Sequence, residues 1–283
     1  MMKTTKISII LLLILCFILI IGLGGILTIG IYNRDFLKKH FVINPDKKVL
    51  YNDYQPSNKI VVDTDTYDVN FYYHDDDRIL VKVKGAEDDN ADIYTKDDTL
   101  NINVKSKDRI GIFIFNFINN KIDIYLPRNY DLPISITAHT GDVRFKEESN
   151  STFDIKLSTG DIYLRNAKDS TLKVSTGDIT ITELFENGSI KATTGDIKVK
   201  NATGKIDFTT STGDITLKKI NLTESSNIKA TTGEVKIDKV NDIYITADSS
   251  TGDVKVKHSN RYSEVELKIK TSTGDINTGK LSE

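Results

Sequence analysis

Hydrophobic and polar residues alternate along most of the chain after residue 58. Before one turn the apolar positions are Ile155 and Leu157, and after it they are Ile162 and Leu164. A period of two indicates β-strands with one buried face rather than helices. The same alternation surrounds every later turn, so the sequence predicts an all-β protein.

The turns between these strands share one short motif, Thr-Gly followed by an acidic and a β-branched residue. It occurs eight times, and its glycines are Gly141, Gly160, Gly177, Gly195, Gly213, Gly233, Gly252 and Gly274. Successive glycines are 17 to 22 residues apart. A fixed period near this length is typical of repeat architectures, in which each unit buries its apolar face against its neighbours. The sequence therefore predicts a single-domain parallel β-solenoid, with the regular repeats over 138–283.

The segment 58–137 lacks the Thr-Gly motif, but its sequence still predicts β-strands. Its predicted strands are Ile60–Val62, Val69–Phe71, Ile79–Val83, Leu100–Val104 and Ile122–Leu126, and acidic turns separate several of them. We expect this segment to supply either the first, degenerate coils or a cap that shields the edge of the solenoid. The apolar run Ile110–Ile118 is interpreted as a buried strand, with an exposed patch for a partner or a membrane as the alternative.

An uncharged, apolar segment near the N-terminus predicts one transmembrane helix. No charged residue lies between Lys6 and Arg34, and the segment 7–31 is long enough to cross a bilayer. It follows a short tail, 1–6, and precedes a polar linker, 32–57. A cleaved signal sequence is the alternative, although the segment is longer than a usual signal core and no Ala-x-Ala site follows it. Basic residues flank both ends, so we expect an extracytoplasmic solenoid from the usual signal-anchor arrangement rather than from charge.

Composition excludes several function classes. The net charge is −2 with both signs interspersed, which argues against a nucleic-acid partner. The single cysteine, Cys16, lies in the apolar segment and excludes a disulfide framework. The four histidines are scattered without metal-ligand spacing. No catalytic residue and no cofactor are predicted.

Two stretches together resemble a known family. They are the strand Ile122–Pro127, with its Tyr-Leu-Pro ending, and the train of Ser-Thr-Gly-Asp-Ile units that begins near Gly141. The chain from about residue 59 onward is similar to the bacterial putative-adhesin family, domain of unknown function 4097. The resemblance implies a β-solenoid, often on membrane-associated proteins of the cell envelope. It supplies no catalytic residues.

The motif residues have simple structural interpretations. Each glycine is expected at a backbone position with positive φ. The threonine before it shares the parity of the buried residues, so we expect it to point inward. The acidic residue after it should face outward and accept N–H groups of the turn. Calcium binding by this acidic ladder stays open as an alternative, with Asp161, Asp178, Asp196 and Asp214 as candidate ligands. A threonine-rich ice-binding face requires outward threonines, and is disfavoured for that reason.

The functional hypothesis is a non-enzymatic, membrane-anchored envelope protein with an adhesin-like solenoid that binds a protein or a cell-surface glycan. One alternative is an envelope stress-response or structural scaffold that acts through a membrane partner. A polysaccharide-active β-helix enzyme is a further alternative, but the short loops leave no room for a cleft.

Overall fold

The computed structural model describes residues 49–85, 90–105 and 120–282, with side chains from Tyr54 onward. These residues belong to one compact unit made of β-strands and turns. The predicted transmembrane segment and the run Ile110–Ile118 lie outside the described residues. No helix in the ranges just given is long and apolar enough to cross a membrane.

Twenty strands make up the described part of the chain. They are β1 (Val49–Tyr54), β2 (Lys59–Thr64), β3 (Asp68–His74), β4 (Ile79–Lys84), β5 (Ala91–Lys96), β6 (Thr99–Val104), β7 (Lys121–Pro127), β8 (Ile134–Thr140), β9 (Val143–Phe145), β10 (Thr152–Thr159), β11 (Ile162–Thr176), β12 (Ile179–Thr194), β13 (Ile197–Thr212), β14 (Ile215–Leu222), β15 (Ser226–Thr232), β16 (Val235–Val240), β17 (Tyr244–Thr251), β18 (Val254–Val256), β19 (Glu266–Thr273) and β20 (Ile276–Leu281).

A coil is a strand, a turn and a second strand, and the turns of eight coils contain a motif glycine. The coils stack through parallel pairing. We call the two sides of the stack the pre-turn face and the post-turn face. The pre-turn order is β6, β2, β8, β10, β11, β12, β13, β15, β19, β17. The post-turn order is β7, β3, β9, β11, β12, β13, β14, β16, β20, β18. The strands β11 to β13 pass from one face to the other.

At one end of the stack the pairing becomes antiparallel. Strand β5 pairs with β6, β4 pairs with β7, and β1 pairs with β4. The five strands predicted between residues 58 and 137 lie within β2, β3, β4, β6 and β7 and are confirmed. Strand β1 lies in the segment interpreted as a linker, and the largely exposed β5 was not predicted because few of its residues are buried.

Coils that follow one another in the sequence are not always neighbours in the stack. The β2–β3 coil lies between the β6–β7 and β8–β9 coils, and the last coil of the chain, β19–β20, lies between β15–β16 and β17–β18. For each coil that is out of order, one connection must pass over a neighbouring coil. It must then span two strand spacings, or about 10 Å. The link Asn241–Ile243 before β17 is long enough to span this distance when extended. The repeat predicts that the coils stack in sequence order, and this prediction is wrong at both ends of the stack.

The β17–β18 coil ends the stack, and part of its edge is covered. The Ile245 N–H donates to the hydroxyl of Ser259 at 2.8 Å, and that hydroxyl donates back to the Ile245 carbonyl at 3.3 Å. A side chain thus takes the place of the next strand at Ile245. Protected edges of this kind limit uncontrolled pairing with other chains.

The core is the line of alternating side chains between the two faces. Phe185 and Phe208 lie edge to face with ring centroids 5.3 Å apart, and both are fully buried. They belong to neighbouring strands but are not partners in the register, since Phe185 stands opposite Ala202 and Phe208 opposite Ile190. Aromatic pairs in this geometry stabilise the core beyond the area that they bury.

Candidate functional site: the lysine–hydroxyl face

The eight motif glycines form a column at the turns between the two faces. Their φ angles lie between 132° and 146°. The coils also approach closely there, because a Cβ built on Gly195 would lie 2.0 Å from the carbonyl oxygen of Gly177 in the preceding coil. Both the backbone angle and the close approach restrict these positions to glycine.

The acidic residues after the glycines are joined from coil to coil. The Oδ1 atoms of Asp161, Asp178, Asp196 and Asp214 accept the backbone N–H of the acidic residue in the next coil, at 2.7 to 2.9 Å. The N–H of Asp214 is the main cause that lowers the pKa of Asp196, and the Lys198 ammonium contributes further. One oxygen of each candidate calcium ligand is thus occupied by a donor. In the part of the chain that the structure describes, no group of three or more His, Cys, Asp or Glu residues has the arrangement of a metal site.

The threonines before the glycines point outward, which corrects the inward orientation expected from strand parity. Leu157 is buried, but Ser158 and Thr159 are both exposed. The strict alternation ends at Leu157, because the chain rotates as it enters the turn. The corner therefore presents two adjacent columns of exposed hydroxyl-bearing residues, which we call the hydroxyl rows. They comprise Ser158, Ser175, Thr193, Thr231 and Ser272, and Thr159, Thr176, Thr194, Thr232 and Thr273.

Beside the hydroxyl rows, lysines are stacked on the outer side of the pre-turn face. This lysine row occupies the position four residues before the glycine and comprises Lys156, Lys173, Lys191, Lys229 and Lys270. Thr209 takes the place of a lysine between Lys191 and Lys229. All five lysines are exposed because they alternate with buried residues of the same strands.

Most of these ammonium groups have no carboxylate partner. Lys156 contacts Asp154 at 3.2 Å. Among the residues that the structure describes, no acidic oxygen lies within salt-bridge distance of Lys173, Lys191, Lys229 or Lys270. Asp248 stands opposite Lys270 in the register and closes the row at that end. Ammonium groups held at the strand spacing of about 4.8 Å would repel by roughly 0.9 kcal/mol in water.

The post-turn face has a different charge arrangement. Lys198 lies 2.9 Å from Asp196, Lys200 lies 2.9 Å from Glu183, and Lys218 lies 3.0 Å from Asp238. The Lys200 contact lowers the pKa of Glu183. Three lysines of this face are thus paired with carboxylates. Among the described residues, no carboxylate lies within salt-bridge distance of five further lysines of the same face, Lys219, Lys236, Lys239, Lys255 and Lys280.

A shallow groove of about 400 Å³ lies on the lysine–hydroxyl face. Three lysines, Lys156, Lys173 and Lys191, line it together with hydroxyl groups and His139. None of its lining residues is acidic. Cations and hydroxyl donors are the groups that recognise phosphates and other anions in proteins.

The described histidines do not form a catalytic group. His74 contacts the carbonyl oxygen of Arg78 at 2.7 Å, and His258 contacts Asp242 at 2.8 Å. His139 is the histidine in the groove, 3.7 Å from Asp65. His40 lies outside the described residues.

Sequence reasoning identified the glycines and the acidic ladder but did not identify the lysine row. The signal was nevertheless present, since lysine recurs at one fixed distance before five of the glycines. Lysines are common on the outer side of any strand, so the recurrence becomes informative only when the register aligns them. The lack of partner carboxylates is visible only in three dimensions.

Comparison with solved structures gives several similar folds. A "putative adhesin" from Bacteroides fragilis is 20% identical, with 84% of this chain and 99% of that chain covered and a TM-score of 0.49. A "putative adhesin" from Parabacteroides distasonis is 19% identical, with coverage of 82% and 98% and a TM-score of 0.44. A "putative lipid binding protein" from the same species is 13% identical, with coverage of 85% and 98% and a TM-score of 0.45. Likenesses at this level carry no conclusion about function.

Comparison with protein families is more specific. No curated protein matches the chain. The family described as Toastrack DUF4097 matches residues 57–279, most of the chain and nearly all of the stacked coils. The resemblance inferred from the Tyr-Leu-Pro strand and the Thr-Gly-Asp train is confirmed, and the chain belongs to the Toastrack DUF4097 family.

Proposed function

We propose that this protein is a non-enzymatic, adhesin-like binding protein of the cell envelope. In this proposal the segment 7–31 anchors the chain in the membrane, and the stacked coils face the outside of the cell. The observation that carries the proposal is the lysine–hydroxyl face, where exposed lysines and hydroxyl groups recur from coil to coil and four of the five lysines have no carboxylate partner among the described residues. A repeating surface suits a repeating ligand, because many weak contacts add up through multivalency.

The composition of the groove on the lysine–hydroxyl face favours binding over catalysis. The groove contains lysines and hydroxyl groups but no carboxylate that could act as a general acid or base beside them.

Topology is the first test. The side chain of Tyr262 is 97% exposed, so Tyr262→Cys offers an accessible thiol in a chain whose one natural cysteine is Cys16. Intact cells that produce the full chain are treated with a membrane-impermeant maleimide. We expect labelling of the variant and none of the wild type, because Cys16 lies within the predicted span.

Labelling of the variant only after lysis would place the coils in the cytoplasm and overturn the proposal. A second variant, Ser250→Cys, controls for a local effect at Tyr262, because Ser250 is exposed in strand β17 whereas Tyr262 lies in a turn. Both variants are expected to give the same result.

A further inference from the structure

The lysine–hydroxyl face has a shape that restricts its ligand. Five strand spacings separate Lys156 from Lys270, which corresponds to about 24 Å along the stack. The row is one lysine wide except beside Lys270, where Lys268 also faces outward and lies 3.4 Å from Glu266. A ligand that satisfies all its cations must therefore be extended and run along the stack.

Acidic side chains flank parts of the lysine row. The neighbouring outward column, two residues before the lysine column, contains Asp154 and Asp207 but also Thr171, Ser189, Asn227 and Lys268. The acidic ladder of Asp161 and its counterparts lies beyond the hydroxyl rows, on the other side of the turn. A broad anionic surface such as a membrane would meet these carboxylates, whereas a single extended strand would avoid them.

The hydroxyl rows complement the charge of the lysines. Ser158, Ser175 and Thr193 line the same groove as Lys156, Lys173 and Lys191. A lysine ammonium binds an anion as a point charge, and a nearby hydroxyl donates a directed hydrogen bond to an anionic oxygen. The two columns together offer both contacts once per coil.

We propose that the lysine–hydroxyl face binds a linear polyanion, a polymer with a phosphate or carboxylate group in each repeat, laid along the stack of coils. This inference rests on the proposed function, since it names the ligand class of the same face. The bound polymer would supply the anions that the lysine row lacks within the protein. Its binding would also remove the repulsion between neighbouring ammonium groups.

The test uses the purified full chain in a neutral detergent. The probes are fluorescently labelled inorganic polyphosphate, for a phosphate polymer, and polygalacturonate, for a carboxylate polymer. The test variant carries Lys173→Gln, Lys191→Gln and Lys229→Gln. The matched control carries Lys198→Gln, Lys200→Gln and Lys218→Gln, which removes the same number of charges from the post-turn face.

We expect the wild type to bind at least one polymer at about 50 mM salt and to lose affinity as salt increases. The test variant should bind about tenfold or more weakly, the combined effect of three exposed ion contacts. The control variant should retain most of the affinity. A third variant, with arginine at the three test positions, should bind as the wild type does because it keeps the charge.

Three results would overturn the inference. One is equal loss in the test and control variants, which would mean general charge attraction. Another is no binding of either polymer at low salt. The third is binding to vesicles with anionic lipids but to neither polymer, which would indicate a membrane surface instead.

A negative result in this test and a negative result in the topology test refute different proposals. Cytoplasmic coils with intact polymer binding would refute the envelope location and leave the ligand class standing. Extracellular coils without polymer binding would refute the ligand class and leave the envelope location standing. Thermal unfolding of all variants, monitored in parallel, shows that loss of binding does not arise from loss of the fold.

Discussion

Asp196 accepts the backbone N–H of Asp214 with its Oδ1 atom at 2.9 Å, one coil further along the stack. The same contact recurs at the neighbouring turns, from Asp142 onward. The acidic position of the motif therefore connects adjacent coils and does not act only within its own turn. The N–H donors also offset the repulsion between the stacked aspartate carboxylates that accept them.

The acceptor atom at this position should matter more than its charge. Asp196→Ala leaves the Asp214 N–H without its partner, and we expect a loss of about 1 kcal/mol in the free energy of unfolding. Asp196→Asn keeps an acceptor oxygen at the same place, and its free energy of unfolding should decrease less. Urea unfolding of both variants measures the difference. Equal losses would mean that the hydrogen bond is not the source of the stabilisation.

Acid should weaken the stack through the same carboxylates. The pKa of Asp196 is lowered in the folded protein by the Asp214 N–H and by Lys198. A carboxyl whose folded pKa is depressed stabilises the fold above its unfolded pKa of about 4, and this contribution is lost as pH falls through the folded value. We expect Tm to decrease as pH falls below about 4.

The decrease in Tm should be smaller in Asp196→Asn, which has no carboxyl to protonate at this turn. Asp207→Asn serves as the control, because the exposed Asp207 side chain has no hydrogen-bond partner in the described residues. A pH dependence that is identical in the wild type and in Asp196→Asn would contradict the prediction.

The turn glycines should not tolerate even a methyl group. Gly195 has a φ of 142°, and a Cβ there would lie 2.0 Å from the Gly177 oxygen. Gly195→Ala must distort the turn and separate two coils, and we expect a loss of about 3 kcal/mol or more in stability. Thr193→Ala, at an exposed position of the same turn, should change stability little. An unchanged Tm for Gly195→Ala would refute the described turn geometry.

The unpaired lysines should cost stability when no ligand is bound. Lys173 stands in register between Lys156 and Lys191, so Lys173→Gln removes two repulsive contacts. We expect a small gain in stability at low salt, below about 1 kcal/mol, that disappears at high salt.

Lys198→Gln provides the comparison, because Lys198 contacts Asp196 at 2.9 Å and Asp178 at 3.8 Å. Its loss should leave stability unchanged or reduce it. Paired melting curves at low and high salt measure both effects. A gain of the same size in both variants would show that net charge, and not the stacked arrangement, determines the result.

Much of the fold is predictable from local sequence. The alternation around Gly160 and Gly195 shows which residues are buried, and the register places these residues in the core. The strands near Val69 and Ile124 are predictable for the same reason, although the motif is absent there. The orientation of Thr159 was not predictable, because parity holds only while the backbone stays extended and the chain rotates at the turn.

The sequence by itself determined the structure of a single coil. The length of the coil, its turn glycine and its buried side chains depend on contacts within one repeat or with an equivalent neighbour. Tertiary structure alone decided which coils are neighbours at the two ends. Parallel strands with similar apolar patterns present equivalent N–H and C=O groups, so the sequence does not distinguish β19 from β17 as the partner of β15. Tertiary structure also decided that four lysines of the row have no carboxylate partner among the described residues, while Lys198, Lys200 and Lys218 of the opposite face are paired. Charge pairing depends on distances between side chains from different coils, which no period in the sequence specifies.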